Sequence, residues 1–324
     1  MKKLSIIGAG WSGLACAVAA TQAGWQVELF EAANEAGGRA RSLEQNFAGM
    51  PLDNGQHILL GAYRDTLALM RTVGVNPNDV LLRLPLDLRT ADGLGFKLPN
   101  GLLGGHANIF PPASLPAYLS ASDLTPSLPN SLLGTLDASW KLLVGVAFAK
   151  GWSALDKWRL MQAGCRWQVT GFTCDATWSV HQLCEASQLT PNVVQGLIEP
   201  LCLSALNMPL QSASAAVFLR VLHDAMFSGI GSSDLLIPRT DLGALFPQAC
   251  VKWLRQHGAQ VHLGRRFTQD DLAQWLAESG TTTQRVLVIA CPAWEAARLT
   301  QTVAPTWSAQ AQALSHTAIA TVYL

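Results

Sequence analysis

The chain has 324 residues, and its 22 Lys and Arg balance its 22 Asp and Glu, so the formal net charge is zero. Charged residues make up only 14% of the chain and hydrophobic residues 49%. This composition excludes an intrinsically disordered chain and argues against a protein that binds nucleic acid through its charge. The length predicts about two domains with a sizeable buried core.

The seven cysteines are widely spaced and include no Cys-x-x-Cys pair, so the sequence supports neither a disulfide framework nor a zinc site. The seven histidines are dispersed without the spacing of metal ligands, and no metal is expected. We therefore expect a reduced, cytoplasmic compartment. No apolar run approaches the roughly 18 to 20 residues of a membrane-spanning helix. Any membrane contact is expected to be peripheral, on the inner face of the cytoplasmic membrane.

The first 31 residues predict one strand–helix–strand unit. Residues 4–7 are a short apolar run, typical of a strand buried on both faces of a parallel sheet. Residues 14–23 are mostly Ala, Leu and Val and predict a tightly packed helix that ends at Gly24. Residues 25–31 predict the next strand. This order predicts an α/β fold with a Rossmann-like domain at the N-terminus.

The loop between the first strand and the helix has the pattern Gly-x-Gly-x-x-Gly, formed by Gly8, Gly10 and Gly13. Gly8 allows a tight turn, and Gly10 lets backbone N–H groups approach a pyrophosphate. Gly13 lets the helix pack closely on the sheet. The pattern predicts a dinucleotide-binding site, and a glycine-rich packing loop without a ligand is the alternative.

Three further residues are expected to complete this site. Trp11 and Ser12 belong to the same loop, and Glu31 ends the second strand. A carboxylate at this distance from the loop accepts hydrogen bonds from an adenosine ribose. Because Glu31 would repel a 2′-phosphate, NADP is disfavoured.

A second glycine pair follows the second strand. Gly37 and Gly38 stand directly before Arg39, and Arg41 is two residues further on. This segment resembles the extended fingerprint of the flavin-containing amine oxidase and phytoene desaturase superfamily. The resemblance implies FAD as the cofactor, with the glycine pair and an Arg closing over its pyrophosphate. A guanidinium suits a dianionic pyrophosphate, whereas a solvated Arg pair in a turn is the alternative.

The middle of the chain has a different character. From about residue 94 to 237, loops with Gly, Pro and Ser separate segments of helical pattern such as 132–150 and 156–163. Strand-like patterns return at residues 260–263 and 285–290.

This order predicts two domains. Residues 1–93 and 238–324 are expected to form a discontinuous, Rossmann-like FAD-binding domain (GR2-type), with residues 94–237 as an inserted, mainly helical substrate domain. The chain stops within a strand-like run at residues 318–324. The resemblance implies a further C-terminal segment over the flavin, so we expect the chain to be truncated.

Three later blocks narrow the resemblance. Residues 53–63 begin Asp-Asn-Gly-Gln-His, residues 199–207 begin Glu-Pro-Leu-Cys-Leu, and residues 238–246 begin Pro-Arg-Thr-Asp-Leu. Together they resemble the squalene-associated FAD-dependent desaturases. That resemblance implies reductive removal of the hydroxyl of hydroxysqualene to give squalene, in squalene and hopanoid synthesis, with an electron donor left open.

Within the first block, the resemblance places Gly55, Gln56 and His57 beside the flavin. Gln56 and His57 are the weak candidates for catalysis, and a positioning role for His57 is favoured over a general acid. The alternatives are a polyene desaturase of the carotenoid type, an amine oxidase, and an inactive prenyl-lipid binder. Residues 140–152 have Lys and Trp at both ends of an apolar centre, which suits either an interfacial helix or an ordinary core helix.

Overall fold

The computed structural model describes residues 2–47, 49–99, 130–278, 284–316 and 318–322. Internal contacts divide the chain into two compact units. The first unit consists of Met1–Ile58, Asp65–Leu81 and Pro238–Leu324, and the second of Leu59–Arg64 and Leu82–Ile237. The part of the predicted inserted domain between residues 100 and 129 lies outside the described residues.

The first unit is an α/β unit. Its strands are β1 (Lys3–Ile7), β2 (Gln26–Phe30), β3 (Ser42–Phe47), β4 (Met50–Asp53), β10 (Gln260–His262) and β11 (Arg285–Ile289). Its helices are α1 (Trp11–Gln22), α2 (Arg64–Thr72), α3 (Pro77–Val80), α10 (Leu242–Leu245), α11 (Pro247–Gln256), α12 (Gln269–Ala277), α13 (Ala293–Thr300) and α14 (Pro305–Gln312).

A parallel sheet with the strand order β10-β2-β1-β11 forms the centre of this unit. Residues 4–7 of β1 are buried, because a central parallel strand is covered on both faces. The predicted strands at residues 4–7, 25–31, 260–263 and 285–290 are confirmed to within a residue or two.

Helix α1 connects β1 to β2 and begins three residues before the predicted start, at Trp11. Its buried face carries Leu14, Ala17 and Val18. Helix α11 packs against it, and burial there raises the pKa of Cys250 to about 12. The small side chains of α1 therefore let both the sheet and a second helix approach closely.

The second unit is mostly helical. Its strands are β5 (Leu59–Leu60), β6 (Leu81–Leu84), β7 (Asp87–Arg89), β8 (Gly95–Lys97) and β9 (Leu235–Pro238). Its helices are α4 (Asn130–Ala147), α5 (Ala154–Val169), α6 (Val180–Ala186), α7 (Pro191–Val193), a π-helical turn (Val194–Ile198), α8 (Glu199–Leu206) and α9 (Ala215–Phe227). A large apolar core, with Phe218 and Leu219 fully buried, joins these helices.

The boundary between the units differs from the predicted one. Residues 59–64 and 82–93 belong to the second unit, although the sequence analysis places them with the FAD-binding domain. The reason is a small sheet with the order β5-β9-β6, in which short strands from distant parts of the chain pair. An ion pair of 2.9 Å between Arg83 Nη1 and Asp234 Oδ2 also links these parts.

Two further expectations are corrected. Residues 140–152 are not one helix, because α4 ends at Ala147 and Lys150 pairs instead with Gly95. Lys141 is buried, so it does not mark a water-facing end of the helix. Residues 318–322 form no strand and are exposed, since an isolated strand without a partner is not stable. Tyr323 and Leu324 of that run lie outside the described residues.

Candidate functional site

The glycine loop lies between β1 and α1, as predicted, and two of its glycines are explained by protein packing. A Cβ at Gly13 would lie 1.9 Å from the carbonyl oxygen of Gly8, so only glycine allows α1 to approach the end of β1. Gly8 has a φ of 102°, and a Cβ there would lie 2.9 Å from the carbonyl oxygen of Ala290. These two positions therefore fix the close contact of helix and sheet.

Gly10 has a different environment. A Cβ there would meet only the Cα of Gly38, at 3.9 Å, so the packing of the protein itself does not require glycine. Gly10 is also the residue that caps α1, and it supplies no side-chain hydrogen bond to the helix. The first backbone N–H groups of a helix have no partner within the helix. The open space over Gly10 and these N–H groups together suit an anion at the helix N-terminus.

The second glycine segment lies beside the first. Gly37 forms a parallel bridge with Gly10, and its N–H donates to the carbonyl oxygen of Ala9 at 2.8 Å. The indole Nε1–H of Trp11 donates to the carbonyl oxygen of Ala40 at 2.9 Å. The fold thus brings together two glycine segments that the sequence analysis assigned to one pyrophosphate.

The two arginines of this segment are available to a ligand. Arg39 is exposed and Arg41 half-buried. Among the described residues, no carboxylate lies within ion-pair distance of either guanidinium. Ser12, on the first turn of α1, is also exposed. Two uncompensated cations near a helix N-terminus favour a ligand with negative charge.

Glu31 makes backbone contacts at the end of β2. Its Oε2 accepts from the N–H of Ala9 at 2.7 Å, and its Oε1 accepts from the N–H of Ala33 at 2.9 Å. The carboxylate thus fixes the glycine loop relative to the second strand. Each carboxylate oxygen has a second lone pair, so ribose hydroxyls can still donate to it.

The block at residues 53–57 also lies in this unit. The N–H of Asn54 donates to the carbonyl oxygen of Arg41 at 2.9 Å. Gly55 has a φ of 136°, a conformation that only glycine adopts readily. Gln56 is exposed and His57 half-buried, and His57 Nδ1 lies 3.1 Å from the carbonyl oxygen of Gly55. Because a carbonyl oxygen only accepts, this contact requires the proton on Nδ1 and leaves Nε2 as the acceptor of a neutral ring.

The sequence analysis missed a cluster that connects two of the family blocks. The hydroxyl of Ser42 donates to Asp241 Oδ1 at 2.5 Å and lies 3.2 Å from Asp53 Oδ1. Ser42 Oγ in turn accepts from the N–H of Gly243 at 2.9 Å. Burial alone would raise the pKa of Asp241, but the hydrogen bonds from Ser42 and from the N–H of Ala244 hold it below its usual value. Ser42 and Asp241 are 199 residues apart, so no local pattern could have revealed the contact.

A separate cavity of about 350 Å³ lies within the second unit. Helices α4, α5 and α9 supply most of its walls, and side chains of Ser139, Cys165 and Gln168 add polar atoms. Leu201 from the block at 199–207 lines it as well. Among the described residues that line the cavity there is no carboxylate, Lys, Arg or His. Its lining therefore suits an uncharged, apolar ligand.

Within the described part of the chain, no three His, Cys, Asp or Glu side chains are grouped so as to hold a metal ion. Among the described helices, none combines the length and the apolar character that crossing a membrane requires.

The glycine loop, the parallel sheet and the acid at the end of β2 define a dinucleotide-binding α/β protein. A family model described as flavin containing amine oxidoreductase matches residues 11–324. Since this match covers nearly the whole chain, the protein belongs to this family of FAD-dependent oxidoreductases. FAD is the cofactor, and the open helix N-terminus, the two unpaired arginines and Glu31 fit its pyrophosphate and ribose.

Two kinds of named relatives are similar to this chain, a hydroxysqualene dehydroxylase and a zeta-carotene desaturase. The hydroxysqualene dehydroxylase of Zymomonas mobilis is 25% identical over 307 residues, which are 91% of this chain and 63% of that protein. The zeta-carotene desaturase of Synechocystis is 37% identical over 76 residues, which are 24% of this chain and 15% of that protein. The chain thus spans less than two thirds of the length of these relatives.

Among solved structures, an oxidoreductase from Methanosarcina mazei is similar, with a TM-score of 0.54 and 16% identity. The similarity covers 96% of this chain and 65% of that one. It supports the fold of the family.

Proposed function

We propose that the protein is a hydroxysqualene dehydroxylase, which replaces the hydroxyl of hydroxysqualene with hydrogen to give squalene. Bound FAD in its reduced form would supply the hydride, while the hydroxyl leaves with a proton as water. The first unit would hold the cofactor and the second would act as the substrate-binding part. The observation that carries the substrate class is the apolar cavity of the second unit.

The size and lining of the cavity support a hydrocarbon. At roughly 30 Å³ per heavy atom, the volume that one water takes in the liquid, the cavity of about 350 Å³ holds about a dozen carbon groups. It can therefore hold one arm of a triterpene rather than the whole molecule. An ammonium group would find no carboxylate among the described lining residues, which disfavours an amine substrate.

In the first unit, we propose that the pyrophosphate binds the N-terminus of α1. Gly10 and Gly38 would give it clearance, and Arg39 and Arg41 would neutralise its charge. Gly8, Gly13 and Gly37 would set the backbone positions, and Glu31 would accept from the ribose. Trp11 would hold the second glycine segment in place through Ala40. Ser12, Gly55 and Gln56 have surface or loop positions that are compatible with cofactor contacts.

We propose that His57 positions its loop rather than donating a proton. The contact of Nδ1 with the carbonyl oxygen of Gly55 ties the imidazole ring to its own loop, which supports a positioning role. His57→Asn keeps an N–H donor near the Nδ1 position and should retain most turnover, whereas His57→Ala should lose it. If both variants lose turnover together with one limb of the pH–rate profile, while FAD stays bound, His57 is instead the acid.

Turnover is tested by incubating the chain with FAD, dithionite and hydroxysqualene without oxygen, and detecting squalene by mass spectrometry. The cavity is tested in the same assay through Gly164, which lines it on α5 and where a Cβ would meet nothing within 4 Å. Gly164→Leu should fill the cavity and reduce turnover at least tenfold, and Gly164→Ala should be near wild type. Equal turnover of the two variants would remove the cavity from the proposal.

Desaturation of a carotenoid-type polyene is the second candidate, because the zeta-carotene desaturase matches over 76 residues. It uses oxidised FAD and creates conjugated double bonds, so its product absorbs visible or near-ultraviolet light. Conjugated product from phytoene or zeta-carotene, without squalene from hydroxysqualene, would favour this candidate.

A further inference from the structure

Helices α4 and α5 present large apolar side chains to the outside of the second unit. Phe148, after the end of α4, is 79% exposed, and Trp158 on α5 is 65% exposed. Leu155, Trp158 and Val169 share one helical stripe of α5, since they are spaced by three and eleven residues. The opposite side of α5 carries the buried residues, such as Leu160. We call the exposed residues of α4, α5 and their connection the hairpin face.

Between residues 139 and 170, where the structure describes the side chains, the surface charges of the hairpin face have one sign. These charges are those of Lys150 and Arg166, which are exposed, and of Lys157 and Arg159, which are half-buried. The one acid between residues 139 and 170, Asp156, is buried and bonded to the N–H of Ser153, where it caps α5. The whole chain has no net charge, so the basic hairpin face is a local excess.

None of these four basic side chains forms an ion pair with a carboxylate among the described residues. Lys157 Nζ donates to the carbonyl oxygen of Ala147 at 2.7 Å, at the C-terminal end of α4. Arg166 Nη1 donates to the carbonyl oxygen of Ala186 at 3.2 Å. Because both acceptors are neutral carbonyl groups, they do not compensate the positive charges of Lys157 and Arg166. The combination of exposed aromatic rings and uncompensated cations is complementary to an anionic lipid surface.

The apolar cavity reaches the surface at the hairpin face. Leu143 on α4 is 49% exposed and Cys165 on α5 is also exposed, and both line the cavity. Cys165 lies on the same helical stripe as Leu155, Trp158 and Val169. The opening of the cavity and the exposed apolar stripe are therefore continuous.

We propose that the hairpin face binds an anionic lipid bilayer and that the apolar substrate passes from the bilayer into the cavity between Leu143 and Cys165. Bilayer binding stands on the exposed rings and charges alone, whereas the access route rests on the proposed function. The sequence analysis left residues 140–152 open between an interfacial helix and an ordinary core helix; the proposal places the lipid contact on α5 and the connection before it instead.

Bilayer binding is tested by co-sedimentation of the chain with vesicles of phosphatidylcholine, with or without phosphatidylglycerol. We expect binding to the mixed vesicles that weakens with salt. Trp158→Ser should weaken it about tenfold, as loss of a large apolar group predicts. Arg159→Gln should weaken it about fivefold, in line with the effect of one basic residue near an anionic surface.

The control is Trp307→Ser, which removes a tryptophan of the first unit that is 48% exposed. It should leave binding unchanged. Circular dichroism melting of each variant separates lost binding from lost folding. Absence of binding to mixed vesicles, equal binding to both vesicle types, or an equal loss with Trp307→Ser would overturn the proposal.

The access route is tested with an environment-sensitive maleimide dye on Cys165, with Cys165→Ser labelled in parallel to subtract dye on other thiols. Mixed vesicles should shift the emission of the Cys165 dye to shorter wavelength. Binding without this shift would overturn the access route while leaving bilayer binding intact. Neither readout depends on turnover, so failure of the dehydroxylase assay is a separate result.

Discussion

Glu31→Gln tests the cofactor site through one carboxylate with two measurable effects. Glu31 accepts from the N–H of Ala9 at 2.7 Å and from the N–H of Ala33 at 2.9 Å. A glutamine side chain keeps only one acceptor oxygen, so one of these two bonds is lost. The amide NH2 of the glutamine then faces the backbone N–H that has lost its acceptor. Hydrogen bonds to charged groups contribute roughly 1.5–3 kcal/mol. We therefore expect the free energy of unfolding to fall by about 1.5–3 kcal/mol.

The same substitution should also weaken FAD binding, because the amide oxygen is a poorer acceptor than a carboxylate for a ribose hydroxyl. One such bond corresponds to a tenfold to hundredfold rise in Kd, at about 1.4 kcal/mol per factor of ten. Urea unfolding of the FAD-free protein gives the first effect, and titration of flavin fluorescence gives the second. Glu35→Gln is the matched control, since Glu35 lies in the same loop and forms no hydrogen bond or ion pair among the described residues.

Unchanged unfolding in Glu31→Gln would refute the structural role of the carboxylate. A lower stability with unchanged FAD affinity would refute only the contact with ribose and would leave the structural role of the carboxylate in place. Equal effects of Glu31→Gln and Glu35→Gln would show that general charge, rather than the two backbone bonds, accounts for the result.

Three further outcomes are expected from stability measurements. Gly164→Ala should raise the free energy of unfolding by about 0.5–1 kcal/mol through helix propensity, whereas Gly145→Ala should lower it, because a Cβ there would lie 2.9 Å from the ring of Phe96. Equal effects in a urea titration would contradict this contrast. Ser42→Ala should destabilise the first unit by about 1–3 kcal/mol, because it removes the hydroxyl between two carboxylates; an unchanged midpoint of thermal unfolding would argue against it. The hydroxyl of Thr190 and the N–H of Ser153 lower the pKa of Asp156 from 3.8 to about 2. The stability that ionised Asp156 contributes is therefore complete above its unfolded pKa of 3.8 and is lost as the pH falls towards 2. When the free energy of unfolding is measured against pH, Asp156→Asn should therefore lose less stability in this acid range than the unsubstituted protein.

The N-terminal unit could be predicted because its determinants are close together in the chain. Gly8, Gly13 and Glu31 act within a strand–helix–strand segment of 31 residues, where turn geometry, helix packing and strand burial each follow from local residue types. The parallel bridge between Gly10 and Gly37 has the same origin, since a short connection returns the second glycine segment to the first. The sequence therefore predicted this strand–helix–strand segment, and the resemblance of its glycine segments to a flavoprotein family indicated the cofactor, which the family match supports.

Only the tertiary structure decided features that need distant partners. The boundary between the units depends on the pairing of β5 with β9, whose strands are far apart in the chain. Lys141 stands in a pattern that suits an exposed helix end, yet the packing of α4 buries it. The contact of Ser42 with Asp241 spans 199 residues.

The apolar cavity shows the same limit, because most of its lining residues come from α4, α5, α8, α9 and the π-helical turn, which are separated in the chain. Residue types and periodicity fix which side of a helix is apolar, but not which helices enclose a space or which apolar stripe stays uncovered. That choice is made by packing among all the helices of the unit at once, since close packing depends on the complementary shape of every neighbour.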